Sequence, residues 1–292
     1  MRIINFGSLN IDHVYRVDRF VQPGETIPSL AYSRFCGGKG LNQSIALARA
    51  GAEVRHYGKI GTDGADLVEM LNRSGVDTSS VSMEDGPTGH AIIQVSGDGE
   101  NSIIIEGGAN RLMDDIDIET VFSELEEGDW LLLQNEVSAI DTLFGRALDS
   151  PCRLAFNPAP MTEAVNDLPL HRVDLLIVNE SEGRALTGRS GAPDIVSALT
   201  QLCPKGRIVL TLGAQGAICA DGNRRIEQPG FPVDAVDTTA AGDTFVGYFL
   251  AASSSGKTAD AALELACKAA SICVTRPGAA ASIPYLHEIE AG

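Results

Sequence analysis

Short apolar segments alternate with stretches of helical periodicity along most of the chain. Buried strands are predicted by the apolar runs at residues 2–7, 54–61, 129–134, 173–179 and 207–213. Most of these runs precede an amphipathic stretch of about ten residues, the first at 40–53 with a glycine near its end. This alternation predicts an α/β fold, with a mainly parallel sheet and helices on both of its faces.

Two regions depart from the alternation. Residues 26–38 and 89–110 resemble strands joined by turns, and the second region reads as a hairpin across residues 96–100. Together they form either an extra edge of the main sheet or a separate flap over a site. Residues 231–236 alternate as a strand does, and residues 242–252 are apolar and helix-like.

Composition is typical of a globular protein with one large core. The 292 residues are 44% hydrophobic and 21% charged, with no linker-like or repeated segment, so we expect a single domain over residues 1–292. A net charge of −17 at pH 7 argues against nucleic-acid and anionic-membrane partners, because both need a basic surface. The N-terminal sequence has no signal-peptide pattern, and the six cysteines lack metal-ligand spacing. We therefore expect a cytoplasmic protein with free thiols.

Polar residues follow the first predicted strand, where ligands of open α/β sheets bind. Asn10 and Asp12 would point to the same side of an extended segment. They suit either a turn or a ligand rich in hydroxyl groups. The glycines around Lys39 would let the backbone approach a ligand closely, although a glycine-rich turn alone is a weak signal and the phosphate-loop spacing is absent.

The segment after the strand at 173–179 carries a second polar pair. Asn179 and Glu182 are three residues apart, on one face of the helix that begins there. Glu182 can simply compensate the helix dipole, or it can hold Mg²⁺ through water.

The sequence DTTAAGDTF, from Asp237 to Phe245, places two acids around small residues at the start of an apolar helix. Asp243 can be an ordinary helix cap. It can equally accept a proton from a substrate hydroxyl while the free N–H groups beside Gly242 receive a transferred phosphoryl group. The segment alone does not decide between these interpretations.

Taken together, the motifs resemble one known family. GGKGLNQSIALARAGA at residues 37–52 and DAVDTTAAGDTFVGYF at residues 234–249 resemble the two signatures of the ribokinase family of carbohydrate kinases. GSLNIDH, PGET, GENSIIIEGGAN, LLLQNE, FNPAP, VNESE, LTLGAQG and VTRPGAAASIP also match, in order and at similar spacing. The likeness extends from about Ile4 to Pro284.

The resemblance implies transfer of the ATP γ-phosphoryl group to a sugar hydroxyl, foremost the 5-hydroxyl of D-ribose. Asp243 would be the catalytic base, and the N–H groups of Ala240, Ala241 and Gly242 would form the anion hole. The implied sugar contacts are Asn10, Asp12, Gly38, Lys39, Asn42, Ala91, Ile93, Glu136 and Asp243.

The family also implies ATP, Mg²⁺ and a monovalent cation, usually K⁺. The positions that match nucleotide contacts are Asn179, Thr211, Gly213 and Gly242, and Glu182 would hold Mg²⁺ through water. The positions that match the K⁺ loops are Asp237, Thr239, Val274, Ala279 and Ser282.

A β-sheet lid over the sugar is implied as well, formed by inserted segments at about residues 13–38 and 88–107, and it would pair two subunits as a homodimer. Two positions depart from the family pattern. Leu41 replaces a small residue, and Cys267 occupies a position where some members carry a histidine against the adenine. Because Leu41 lies next to the implied sugar contacts Lys39 and Asn42, it leaves the identity of the sugar open.

Two alternatives to a ribose kinase remain. The first is a kinase for another acceptor, such as deoxyribose, fructose or a nucleoside. The second is a regulator that binds a sugar or nucleotide without catalysis, against which the intact Asp243, Gly242, Asn179 and Glu182 argue.

Overall fold

The computed structural model describes residues 1–290 as two β-sheets and nine α-helices. The strands are β1 (Ile3–Phe6), β2 (Asn10–Arg16), β3 (Ala31–Gly37), β4 (Val54–Ile60), β5 (Asp77–Met83), β6 (Gly89–Val95), β7 (Asn101–Glu106), β8 (Trp130–Gln134), β9 (Arg153–Asn157), β10 (Leu175–Asn179), β11 (Arg207–Thr211), β12 (Gly216–Asp221) and β13 (Arg224–Pro229). The helices are α1 (Lys39–Arg49), α2 (Ala65–Arg73), α3 (Asp115–Glu124), α4 (Ile140–Ala147), α5 (Glu180–Thr187), α6 (Ala192–Leu202), α7 (Ala241–Ser254), α8 (Ala259–Val274) and α9 (Leu286–Glu290). Within residues 1–290, no helix has both the length and the apolar character needed to cross a membrane.

The larger sheet contains nine strands in the order β13-β12-β11-β10-β9-β8-β1-β4-β5. Strands β12 and β13 are antiparallel at one edge, and the other pairs are parallel. The carboxyl ends of the parallel strands therefore meet along one edge, where ligands of such sheets bind.

Alternate residues of the central strands build two separate cores. Ile3, Leu132 and Ile177 point to one face and pack with α1, α2, α7 and α8. Their neighbours Ile4 and Leu131 point to the other face and pack with α3, α4 and α6. Because both faces of each central strand are buried, the strands are continuously apolar. The predicted α/β fold, with a mainly parallel sheet and helices on both faces, is confirmed.

The smaller sheet is separate from the larger one and has the strand order β3-β2-β6-β7. Strand β2 lies at its centre, antiparallel to β3 and parallel to β6, and β6 and β7 form the predicted hairpin. The sheet is therefore a flap and not an added edge of the main sheet. It begins at Asn10, slightly earlier than residue 13.

Several local predictions were wrong or incomplete. Residues 231–236 form no strand, since Pro232 cannot donate a ladder hydrogen bond and the segment has already left the sheet edge at β13. Residues 26–38 contain the single strand β3. Strands β5, β12 and β13 were not anticipated. The exposed, polar edge strands β5 and β13 lack the continuous apolar signal of buried strands, whereas β12 is buried and lies between β11 and β13.

Candidate active site

A cavity of about 230 Å³ opens at the carboxyl ends of the central strands, between the first turns of α1 and α7. Its lining residues are Lys39, Asn157, Ala159, Ile177, Val178, Asn179, Glu182, Thr211, Thr238, Ala240, Gly242, Asp243 and Val246. Residues predicted from four separate segments of the sequence thus meet around one space.

Helix α7 begins at this cavity with an unusual backbone. Ala240, which precedes the helix, has φ 60° and ψ 7°, a left-handed conformation that costs a residue with a Cβ of the order of 1 kcal/mol or more. The helix start leaves the N–H groups of Ala240 and Gly242 without a backbone acceptor among the described residues. The N–H of Ala241 donates a long bond of 3.3 Å to the Thr238 carbonyl. Free N–H groups and the helix dipole make this turn suitable for an anion.

Asp243 lies on the first turn of α7 and is 8% exposed. Its Oδ2 accepts a hydrogen bond from Asn42 Nδ2 at 3.0 Å, and its Oδ1 accepts one from Gln43 Nε2 at 2.9 Å. Both donors come from α1, which packs against α7. The carboxylate is therefore held from one side by two amides, while its residue lines the cavity on the other.

Helix α1 starts directly against the end of β1. A Cβ placed on Gly40 would lie 2.4 Å from the Ser8 backbone nitrogen, so only glycine allows this contact. The close approach brings Lys39, the first residue of α1, to the cavity. The negative charge of Asp243 is the main influence that raises the pKa of Lys39, with Glu136 and Glu182 acting in the same direction. Lys39 is thus a cation for a region that is otherwise rich in acids.

Glu136 follows β8 and joins the ends of β1 and α1. Its Oε2 accepts hydrogen bonds from Ser8 Oγ at 2.5 Å and from the Lys39 backbone N–H at 3.0 Å. Burial raises the pKa of the Glu136 carboxyl above its ordinary value. Both contacts engage Oε2, so Oε1 can accept a hydrogen bond from a ligand hydroxyl.

Asn10 and Asp12 lie on β2 and are therefore extended, not in a turn. Asn10 Oδ1 accepts a hydrogen bond from Asn110 Nδ2 at 2.7 Å. No residue within 1–290 donates a hydrogen bond to the Asp12 side chain, and a Cβ on Gly37 would lie 2.1 Å from its Oδ2. Burial raises the pKa of Asp12 to about 7, reinforced by the charges of Glu136 and Asp243.

The face of the small sheet that carries Asp12 is otherwise mainly apolar. Phe35 and Ala91 lie directly opposite Asp12 on the two neighbouring strands. Ile93 is two residues beyond Ala91 and points to the same side. A single acid on an apolar surface can orient a sugar while the surrounding side chains cover its carbon atoms.

The raised pKa of Asp12 predicts a pH dependence. The carboxylate form accepts hydrogen bonds from hydroxyl groups and is lost as the pH falls below about 7. We expect kcat/KM for the sugar to fall about tenfold between about pH 8 and about pH 6, because this ratio reports the free enzyme. In Asp12→Asn the ratio should be lower and this acid limb should disappear. An unchanged limb in the variant would assign the ionisation to another group.

Asn179 and Glu182 form a reciprocal cap at the start of α5. Asn179 Oδ1 accepts from the Glu182 N–H, and Glu182 Oε2 accepts from the Asn179 N–H, both at 2.9 Å. Glu182 is 9% exposed, and burial raises its pKa. The cap engages Oε2 and leaves Oε1 available, so the structural and the metal-binding interpretations are compatible. Thr211 lines the same cavity, whereas Gly213 is exposed and does not.

The residues expected at a cation site gather in two adjoining loops. Asp237 Oδ1 accepts from the Thr239 N–H at 2.9 Å, and its Oδ2 accepts from the Gly278 N–H at 2.9 Å. Although burial opposes the shift, these hydrogen bonds lower the pKa of Asp237, so it stays ionised. The Val274 carbonyl accepts from the Asp237 N–H at 3.1 Å, which joins the end of α8 to the same loop.

The second loop contributes two further oxygens. Ser282 Oγ donates to the Ala279 carbonyl at 2.7 Å and lies 3.0 Å from Cys273 Sγ. Carbonyl and carboxylate oxygens are suitable ligands for an alkali cation, and each carbonyl keeps a second lone pair. The five expected residues therefore fit a monovalent cation. Within residues 1–290 no three His, Cys, Asp or Glu side chains cluster as a metal site.

Sequence reasoning missed several residues behind the site. Gln43 binds Asp243 but was overlooked beside Asn42, although both face the same neighbour. Asn157 ends β9 and lines the cavity, so inspection of every strand end would have found it.

The two positions that depart from the family pattern are buried. Leu41, expected near the sugar contacts, is fully buried in the core with α7 and α8. Cys267 is also buried in that core.

The sequence profile for pfkB family carbohydrate kinases matches residues 2–286. A ribokinase of Haemophilus influenzae is 37% identical over 97% of this chain and 95% of its own length. The structure of Arabidopsis thaliana ribokinase complexed with ribose and ATP matches with a TM-score of 0.88 and 32% identity, covering 99% of this chain and 97% of that one. Ribokinase from Cryptococcus neoformans var. grubii in complex with ADP matches with a TM-score of 0.86 and 33% identity, covering 99% of both chains.

Proposed function

The chain belongs to the pfkB family of carbohydrate kinases, and we propose that it phosphorylates D-ribose at the 5-hydroxyl with ATP. The observation that carries this proposal is the position of Asp243, whose carboxylate is held by two amides at the open N-terminus of α7. A base beside free N–H groups is what phosphoryl transfer to a hydroxyl needs.

The sugar would bind between the edge of the main sheet and the Asp12 face of the small sheet. Asp12 and Glu136 each have oxygens free to accept hydrogen bonds from sugar hydroxyl groups, while Asn42 and Lys39 can donate hydrogen bonds to them. The remaining proposed contacts are Asn10, Ala91 and Ile93 on the small sheet, and Gly38 directly before α1. Several polar contacts around vicinal hydroxyls hold the reacting hydroxyl in one orientation.

In the proposed transfer step, the 5-hydroxyl oxygen forms a bond to the γ-phosphorus while the bond from that phosphorus to the bridging β,γ-oxygen breaks. The hydroxyl proton passes to Asp243, and ADP leaves. The N–H groups of Ala240 and Gly242 are free to stabilise the charge on the phosphoryl oxygens. Ala241 can join them only if it releases its long bond to Thr238.

The nucleotide would extend from α7 toward α5 and β11. Asn179 and Thr211 line that part of the cavity, and the proposed contact Gly213 is exposed and follows β11 outside the lining. Glu182 would hold a hydrated Mg²⁺ through its free oxygen. When bound, Mg²⁺ neutralises charge on the phosphates.

A monovalent cation at Asp237, Thr239, Val274, Ala279 and Ser282 would keep the loop before α7 in place, and with it the anion hole. We expect a several-fold higher kcat in K⁺ than in Na⁺ or Tris-only buffer at equal ionic strength. Asp237→Asn should remove this difference. Equal wild-type rates in the three buffers would contradict the cation site.

The small sheet would also form the interface of a homodimer. Ile103, Ile104 and Ile105 are consecutive on β7, yet all are at least 50% exposed, so both faces of the sheet carry uncovered apolar side chains. Tyr32 and Phe35 on β3 extend this surface at 51% and 46% exposure. Such a two-sided apolar sheet is suited to a partner of the same kind.

The dimer is checked by sedimentation at micromolar concentration. Wild-type protein should sediment as a dimer, and Ile104→Asp should shift it toward the monomer because a charge would be buried at the interface. A monomeric wild type would contradict the proposed interface. The cytoplasmic location expected from the sequence stays a prediction.

The acceptor is tested by a coupled ADP-release assay over ribose, deoxyribose, fructose and nucleosides, with and without K⁺. Ribose should give the highest kcat/KM. A higher value for another acceptor would replace ribose while retaining the kinase chemistry. Binding without turnover for every acceptor would favour a non-catalytic regulator.

A further inference from the structure

A row of buried side-chain amides lies directly behind Asp243. We propose that Gln43, oriented by Gln134 and Asn157, positions the Asp243 carboxylate for proton transfer. This inference rests on the proposed role of Asp243 as the base. It assigns a function to three polar residues that touch neither the sugar nor the phosphates in the proposed mechanism.

The hydrogen bonds of Gln43 define a single orientation of its amide. Nε2 donates to Asp243 Oδ1 at 2.9 Å and to Asn157 Oδ1 at 3.0 Å, while Oε1 accepts from Gln134 Nε2 at 2.8 Å. A reversed amide would place oxygen against two oxygens and NH₂ against NH₂. Both N–H groups and the carbonyl are used, and the side chain is fully buried.

The row continues into the sheet and anchors Gln43 there. Gln134 Nε2 also donates to Asn5 Oδ1 at 2.9 Å. Asn5 Nδ2 donates to the Gly40 carbonyl and to Ser44 Oγ, both at 2.8 Å. The strands β1, β8 and β9 and the helix α1 are thus joined behind the base. Side-chain amides neither gain nor lose a proton near neutral pH. The row can therefore hold the carboxylate but cannot carry a proton away from it.

A carboxylate needs such support because the χ2 torsion of aspartate has a broad, roughly two-fold distribution, so the torsion alone does not fix the orientation of the oxygens. Asn42 holds Oδ2, but Asn42 is also a proposed sugar contact and can move with the substrate. Gln43 holds Oδ1 from a position without solvent contact. All hydrogen-bonding groups of Gln43 are paired, whereas Gln134 Oε1 is buried without a partner among the described residues. In a dry interior the paired amide is rigid, because breaking its contacts would leave costly unpaired groups.

The direct test is Gln43→Met, which keeps the approximate side-chain volume and removes both donors. We expect kcat to fall about 10- to 100-fold with KM for ribose and ATP within about threefold, since misplacement of a reacting group acts on the chemical step. The control is Val196→Ala, a buried residue on the opposite face of the sheet. It should lower the melting temperature without lowering kcat. A kcat for Gln43→Met within about twofold of wild type would overturn the inference.

A second variant gives a signature that a merely structural role would not. In Gln43→Glu the introduced carboxyl can donate its single O–H to Asp243 only while it is protonated, and once ionised it repels Asp243. The kcat of this variant should therefore fall as the pH rises. The ionisation of Asp12 predicts the opposite direction for kcat/KM, which should fall as the pH falls. A profile parallel to that of wild type would contradict the inference.

Asp243→Asn is measured in parallel to separate the two proposals. If it remains active, the role of Asp243 as base fails, and this inference fails with it. If it is inactive while Gln43→Met and Gln43→Glu behave as wild type, only the positioning role fails. Should Gln43→Met not fold, the pH profile of Gln43→Glu decides, together with Gln134→Met, which should lower kcat without touching Asp243.

Discussion

Asp243→Asn should lower kcat by about 10³-fold or more while the affinity for ribose stays within a few-fold of wild type. General bases contribute about 10²- to 10⁴-fold, and an amide cannot accept the hydroxyl proton. The site can accommodate the amide because Asn42 Oδ1 is buried without a hydrogen-bond partner among the described residues. If Asn42 reverses its side-chain amide, it can accept from the new NH₂ group while Gln43 continues to donate to the remaining oxygen.

This accommodation makes Asp243→Asn a cleaner test than Asp243→Ala, which would leave Asn42 and Gln43 as buried donors without an acceptor. The measurements are steady-state ADP release and ribose binding by calorimetry. Retention of a near wild-type kcat would remove Asp243 from the role of base. Loss of ribose binding together with activity would instead indicate that the variant disturbs the sugar site.

Gly242→Ala should lower kcat by about 100-fold without loss of stability. A Cβ at Gly242 meets no atom within 4 Å, so the unliganded fold has room for it. Alanine is also favoured over glycine inside a helix by about 1 kcal/mol, and Gly242 is the second residue of α7. The open space is where the transferred phosphoryl group would pass, and misplaced or blocked anion-hole donors cost about 10²- to 10³-fold.

A matched control exists in α4. Gly145 is also a helical glycine whose added Cβ would meet no atom within 4 Å, and it does not line the cavity. Gly145→Ala should raise the melting temperature slightly and leave kcat unchanged. Equal kinetics of Gly242→Ala and wild type would contradict the anion hole at the start of α7.

Much of this architecture could be predicted from the sequence because its signals are local. The strand at 129–134 and the helix at 40–53 bury their own apolar residues, so their periodicity reports their structure directly. The segment at 231–236 alternates apolar and polar residues as a half-buried strand does, but it has no neighbouring strand to pair with. An apolar–polar alternation indicates which residues could face a core. Only packing decides whether the segment forms backbone hydrogen bonds with a neighbouring strand.

Some residues of the candidate site could be found from contiguous motifs, and others come together only through long-range packing. Motif resemblance placed Asp243, Gly242 and the Asn179–Glu182 pair in a kinase site, because those signatures are contiguous in the chain. Gln43 carried no such signal, since its partner Asp243 is 200 residues away and becomes its neighbour only when α1 packs on α7. The pKa of about 7 at Asp12 likewise arises from burial near Glu136 and Asp243.

The α/β alternation, the family and the residue types available for phosphoryl transfer could be read from the sequence, because they depend on local pattern and contiguous motifs. Tertiary packing established that the inserted segments form a separate sheet, that α1 holds the Asp243 carboxylate, and which acids share one site. Those features are set by long-range packing and by the electrostatics of a buried space, and neither is encoded in any single stretch of the chain.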